Sequence, residues 1–222
     1  MSANEATDLE RIYEARFREN QDYRRQVWAA LLQDFFQRYV KASDAVLDLG
    51  CGYGEFINQV QCGKKYAMDL NPTTAKCLDS SVTFCQQDCS KEWQVPAKSL
   101  NVIFTSNFFE HLPDKAALGR TFDEIWRCLA PGGCLIAMGP NIKYLPGLYW
   151  EFWDHYLALT ENAMAEGLST RGFRIELKLG KFLPYTMVGA PQFPVAFLRL
   201  YLKLSPAWRI FGKQFLVIAR KP

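Results

Sequence analysis

Short apolar runs bounded by turn residues alternate with longer segments in which apolar side chains recur every three or four positions. Runs of the first kind predict strands, and spacings of the second kind predict helices. Strands are expected from Ala45 onward, at 65–70, at Val82–Gln86, at Leu100–Ser106 and at 134–138. Strict alternation over 173–179 predicts a strand with one wet face, and 214–219 reads as a final apolar strand. Between them, Tyr23, Val27, Trp28, Leu31, Phe35 and Tyr39 line one face of a helix over 22–41. Further helices are expected at 53–60, at 73–79, through Leu118, Phe122, Ile125, Trp126 and Leu129, and at 160–171, with a short one over 8–20. Thr160 is placed to cap its helix and Gly172 to stop it. Strands alternating with helices predict an α/β domain around a mostly parallel sheet.

The stretch 45–56, AVLDLGCGYGEF, organises the rest. It reads as a buried strand that stops in a tight loop with glycine at Gly50, Gly52 and Gly54, then feeds an amphipathic segment. Glycine serves where φ must be positive or where a ligand touches the main chain. Ligands in open α/β sheets sit at the carboxyl ends of the strands. Asp48 lies within the buried strand, and a carboxylate there needs a hydrogen-bond partner. Asp69 stands at the end of the next strand, where an acid can accept two hydrogen bonds from a ribose diol.

The series Asp48-Leu-Gly-Cys-Gly-x-Gly resembles the cofactor motif of class I S-adenosylmethionine-dependent methyltransferases. It departs from the dinucleotide fingerprint, because the third glycine comes one residue early. The segment from Asn107 to Leu112, with its acid–His–Leu step, and the Leu-x-Pro-Gly-Gly turn at 129–133 resemble the same family. The resemblance implies a seven-stranded Rossmann-like α/β sheet with the last strand antiparallel and helices on both faces. It implies S-adenosylmethionine as cofactor and S-adenosylhomocysteine as product. Residue by residue, it carries cofactor contacts onto Asp48, Gly50, Cys51, Gly52 and Gly54, onto Asp69 and Leu70 at the ribose, and onto Asp88 and Cys89 at the adenine. It carries them also onto Asn107 and Phe108 beside the methyl group. A helix before the first strand often closes over the cofactor in this family, which makes Tyr13, Tyr23, Arg24 and Trp28 candidate wall residues. Core packing is the competing reading for Trp28.

A hydroxyl acceptor needs a base, and the chain has two histidines. His155, beside Asp154 in an aromatic-rich loop after the fifth strand, is the stronger candidate, since a neighbouring carboxylate can orient an imidazole. His111 reads as a loop residue. Two other function classes stay open, a nicotinamide-dependent oxidoreductase and a catalytically silent interaction module.

Composition narrows the partners. The chain is 49% hydrophobic and has 222 residues, enough for one folded domain over 1–222. Within it, 1–43 is read as an N-terminal helical cap and 181–213 as an insertion capping the site. Seven cysteines without a Cys-x-x-Cys pair argue against zinc and for a reducing compartment, the cytosol. The N-terminus is polar and acidic, unlike a signal peptide. All 23 acidic residues lie at or before Glu176, while 177–222 holds eight Lys/Arg. This asymmetry points to an anionic partner, with a solvated basic face as the plain alternative. Outside the capping segment no compact Arg/Lys stripe with flanking stacking aromatics favours nucleic acid. The insertion's apolar face must bury against the catalytic domain, a partner or a membrane surface. The expected acceptor is a small molecule, glycan- or lipid-linked, methylated on oxygen, with peripheral contact to an anionic membrane.

Overall fold

The structure, a computed structural model, describes residue 11 and residues 20–185 and 191–222. The expected helix over 8–20 and the wall residue Tyr13 therefore fall almost wholly outside the described residues. Helix α1 (Gln21–Asp34) precedes a sheet of β1 (Ala45–Leu49), β2 (Lys64–Asp69), β3 (Val82–Gln86), β4 (Leu100–Ser106) and β5 (Leu129–Pro140). Helix α2 (Lys115–Cys128) links β4 to β5. After β5 come α3 (Glu161–Ser169), β6 (Arg174–Leu179), α4 (Val195–Lys203), α5 (Ser205–Phe211) and β7 (Gln214–Arg220).

The sheet runs β3-β2-β1-β4-β5-β7-β6. β1 through β5 pair in parallel, and β7 lies antiparallel between β5 and β6. The strand order reverses at β1, so β1 and β4 diverge at their carboxyl ends and leave the crevice where α/β sheets bind ligands.

Alternation along the strands feeds a core on each face. Leu47, Leu49, Ile103, Leu135 and Val217 pack with Leu118, Phe122 and Ile125 of α2 and with Met164 and Leu168 of α3. Val46, Val102, Phe104, Ile136 and Ile218 pack with Val27 and Leu31 of α1. Trp28 meets the rings of Phe56 and Phe104 edge-on, so it belongs to this second core.

Several elements differ from the sequence expectation for local reasons. The helix expected over 22–41 breaks at Phe35, whose φ is −137°, and resumes as a 3-10 turn at Phe36–Tyr39. Phe35 and Phe36 are both buried, and consecutive positions do not share one helix face, so the break lets both pack. Residues 53–60 form turns instead of a helix. There the Asn58 carboxamide bonds outward, donating to the Cys77 carbonyl and accepting from the Asp79 N–H. Residues 73–79 give a 3-10 helix, Pro72–Cys77, capped by Asn71. The fifth strand begins earlier than 134, because the Gly132 N–H donates to the Lys221 carbonyl and the Lys221 N–H to Gly133. Thr160 does cap α3, accepting the Ala163 N–H at 3.1 Å.

Candidate active site

The loop after β1 holds Gly50, Gly52 and Gly54 at φ of 70°, 54° and 75°. These are left-handed conformations that side chains resist. The Gly50 and Cys51 N–H groups both donate to the Met68 carbonyl, which ties the loop to the end of β2. The Gly52 N–H donates to Asp69 Oδ2 at 2.9 Å, and the Asn71 N–H donates to Asp69 Oδ1 at 2.9 Å. Each carboxylate oxygen of Asp69 thus accepts one backbone donor and keeps further acceptor capacity. Burial raises the Asp69 pKa, against the pull of these backbone donors. Leu70 follows at the rim, its carbonyl accepting from Gln86.

Asp48 points to the α1 side of the sheet and is buried. Burial raises its pKa well above the ordinary carboxylate range, and the nearby charges of Glu55 and Asp69 raise it further. The Ile57 N–H is a compensating donor. Glu55 pairs with Arg24 of α1 at 2.6 Å, so the cap helix is fastened to the glycine loop. Tyr23, one residue earlier, donates its hydroxyl to the Phe193 carbonyl.

Of the two residues expected at an adenine, Asp88 is half-buried and Cys89 is buried. Asp88 Oδ1 accepts both the backbone N–H and the hydroxyl of Ser90 at 2.8 Å. Cys89 is buried, its carbonyl accepting the Trp93 indole N–H at 2.8 Å and its thiol lying 3.4 Å from the Thr121 hydroxyl.

At the end of β4, Asn107 takes φ of 50°, and its N–H donates to the Met138 carbonyl. Non-glycine residues in this region are uncommon and cluster at functional sites. The turn lays the Phe108 ring over Gly50, where an added Cβ would come within 2.2 Å of the ring. Phe108 is thereby joined to a loop more than fifty positions away in the chain, while Asn107 bonds to Met138 and Ser106.

Beyond Phe108 lies a cluster of Glu110, His111, Asp154 and His155. Glu110 is 2% exposed, and burial pushes its pKa up to about 7. The His111 ring pairs with Asp154, Nδ1 lying 2.8 Å from the Asp154 carbonyl oxygen and 3.2 Å from its carboxylate. Burial lowers the His111 pKa, but Asp154 and Glu110 outweigh it and the net shift is upward. His155 stacks on Phe152 and meets Tyr149 and His111 edge-on, with the two imidazole centroids 5.0 Å apart. Glu110, His111 and His155 bring one ligand atom each within 4.8 Å of one another. The Asp154 carboxylate, expected beside His155, reaches His111. Glu110 carries no periodic signal of its own in the sequence. It is fixed by its carbonyl, which accepts the N–H groups of Tyr156 and Leu157 and so brings the aromatic loop onto the end of β4.

The methyltransferase domain family matches residues 20–176, from the start of α1 into β6. A search of curated proteins finds no match. Among solved structures, a SAM-dependent methyltransferase from Archaeoglobus fulgidus superposes with a TM-score of 0.65 at 21% identity, over 89% of this chain and 94% of that one. An S-adenosylmethionine-dependent methyltransferase from Mesorhizobium loti gives 0.61 at 18% identity, over 86% and 97%. The N-methyltransferase NodS from Bradyrhizobium japonicum, in complex with S-adenosyl-l-homocysteine, gives 0.60 at 16% identity, over 91% and 87%. At these identities the likeness is one of fold. The glycine loop, the sheet order and the family match agree: the chain belongs to the methyltransferase domain family.

Proposed function

We propose that this chain transfers the methyl group of S-adenosylmethionine to a hydroxyl of a small-molecule acceptor, glycan- or lipid-linked, and leaves S-adenosylhomocysteine. The observation that carries the reading is the bond from the Gly52 N–H to Asp69, which makes the glycine loop and the ribose acid one rigid unit. Asp69 keeps lone pairs on both oxygens for a diol. Phe108 closes the other side of the loop.

The cofactor, when bound, supplies a methyl group already activated on sulfonium. What remains for the protein is alignment and removal of one proton. Alignment of two reactants can lower a barrier by ~7–11 kcal/mol. With S-adenosylmethionine held there, the acceptor oxygen would take the methyl carbon as the sulfonium kept the carbon–sulfur electron pair, which leaves this chain one proton to remove. The hydroxyl proton passes to an imidazole. We assign that role to His155, with His111 against its ring and Asp154 holding His111. The aromatic loop walls the acceptor side, and the N-terminal cap and the 181–213 insertion belong to the same domain. All seven cysteines are free, which supports a reducing compartment, the cytosol.

Methyl transfer from labelled S-adenosylmethionine across hydroxyl, amine and carbon-acid acceptors tests the reading. Labelled hydroxyl products support it. Hydride transfer with a nicotinamide cofactor would replace it with an oxidoreductase, and cofactor binding without turnover on any acceptor would replace it with a silent domain.

A further inference from the structure

Helix α4 is apolar on two faces. Leu198, Leu202 and the Tyr201 ring face inward, and Arg199 bonds to Gln33 and Asp34 of α1. The outward face carries Phe197, 61% exposed, with Leu200 and Leu204 along the same side. Helix α5 repeats the pattern. Trp208 packs inward on Phe35 and Phe182, while Ile210 and Phe211 point out, Ile210 at 68%. A helix that is apolar all round belongs in an interior or against an apolar medium.

The second apolar surface lies at the same edge of the sheet. β7 begins at Gln214 opposite Pro140, so Phe211 stands just before the carboxyl end of β5. The aromatic loop leaves from that end of β5 and exposes Trp150 and Trp153, the latter at 86%. Tyr185 ties the aromatic loop to the start of β7, its hydroxyl contacting the Leu148 carbonyl, its ring meeting Phe152 edge-on and its carbonyl accepting from the Gln214 carboxamide. Exposed apolar side chains thus flank the mouth of the candidate active site on two sides. Patches of this kind mark interaction surfaces.

Charge identifies the occupant. Lys203 and Arg209 are exposed on the same two helices and form no ion pair among the described residues. Residues 177–222 hold no acid. A second copy meeting this face symmetrically would bring two more cations and no acid from 177–222 to the contact. An anionic lipid surface would pair with those cations, accept the phenylalanines and leucines, and seat tryptophan at the headgroup level. Among the described residues no helix is long and apolar enough to cross a membrane, so contact of this kind is peripheral.

We propose that α4, α5 and the aromatic loop dock the protein on an anionic bilayer, with the candidate active site opening onto the headgroup layer. The docking rests on the surface alone. The consequence that the acceptor is a membrane lipid or lipid-linked headgroup rests on the methyl-transfer reading.

Co-sedimentation with phosphatidylcholine vesicles, with and without phosphatidylglycerol, tests the docking at low and high salt. The parent protein should bind the anionic vesicles at low salt, release them at high salt, and bind neutral vesicles at least ~10-fold more weakly. Lys203→Glu with Arg209→Glu should reduce binding at least ~10-fold. Phe197→Ser with Phe211→Ser should do the same through lost insertion. Both pairs lie on the surface, and unchanged circular dichroism and elution volume report that they fold. Trp153→Phe should remove most of any blue shift in emission on anionic vesicles. Absence of vesicle binding at low salt overturns the proposal. So does a stable dimer that Phe197→Ser dissociates, which would assign the face to a second copy. Calorimetry with S-adenosylhomocysteine in the absence of lipid separates the two ideas, since its failure counts against methyl transfer and leaves the docking standing.

Discussion

The Gly52 N–H and the Asp69 carboxylate are 2.9 Å apart, and this bond closes the glycine loop onto the end of the second strand. Asp69 therefore shapes the loop, and under the proposed function it also offers acceptor capacity to a ribose. Asp69→Ala should weaken S-adenosylhomocysteine binding by at least ~1.5–3 kcal/mol, the range for loss of charge-assisted hydrogen bonds. Asp69→Asn keeps an oxygen for the Gly52 N–H and should lose less. Equal losses in the two variants, measured by calorimetry, would show that the charge alone matters and the loop bond does not.

The packing of Phe108 on Gly50 gives a second test. An alanine at Gly50 would place its Cβ 2.2 Å from the ring at φ of 70°. Gly50→Ala should destabilise the fold by about 1–3 kcal/mol and weaken cofactor binding. Adding Phe108→Ala should recover the steric part in urea unfolding and leave the backbone part. If Gly50→Ala is as stable as the parent, the ring does not lie over the loop in solution.

The paired imidazoles carry the third. On a hydroxyl acceptor, His155→Ala should lower turnover ~10²–10⁴-fold with cofactor affinity unchanged. Asp154→Asn acts through His111 and should shift the pH profile of turnover more than its maximum. Turnover of His155→Ala within a few-fold of the parent would leave His155 a packing residue and move the proton to His111 or to water.

Stability should fall as pH rises in the ligand-free protein. Glu110 titrates near 7 in the fold and near 4.5 in the unfolded chain. Between those values the folded state holds a proton the unfolded state has released, so unfolding gains on folding with rising pH. His111, raised above 6.5, has the same sign: its contribution is present below 6.5 and lost as pH rises through the folded value. The buried, raised Asp48 and Asp69 act in the same direction. Glu110 alone accounts for about 3 kcal/mol across the window. Urea midpoints between about pH 5 and pH 8 should decline, and Glu110→Gln should flatten the slope. A rise over that window would contradict the burial of these groups.

Much of this architecture is legible in the sequence, because the signals are local. Alternating and apolar runs mark β3 and β4 to the residue, and Thr160 announces α3 by its capping hydroxyl. The glycines mark the loop because positive φ leaves few other residues. Elements set by distant partners are not legible. Pro131, Gly132 and Gly133 read as a turn, and Gly132 does take φ of 77°, but the backbone bonds that tie this turn to Lys221 have no local signal. Asp154 sits next to His155 in the chain, and folding turns its carboxylate to His111 across 43 positions. Glu110 looks like an ordinary loop acid, yet residues 156–157 bond to its carbonyl and its side chain is buried. The expectation that Trp28 either packs or walls the site resolves to packing once Phe56 and Phe104 are seen around it.

The proposed function makes the loop closed by Gly52 and Asp69 an S-adenosylmethionine site. Titration calorimetry of the purified protein with S-adenosylhomocysteine, and separately with NAD, tests it most directly. S-adenosylhomocysteine should bind at micromolar affinity or better, roughly −8 kcal/mol, with a much weaker response to NAD. Binding of NAD with no heat from S-adenosylhomocysteine would contradict the assignment.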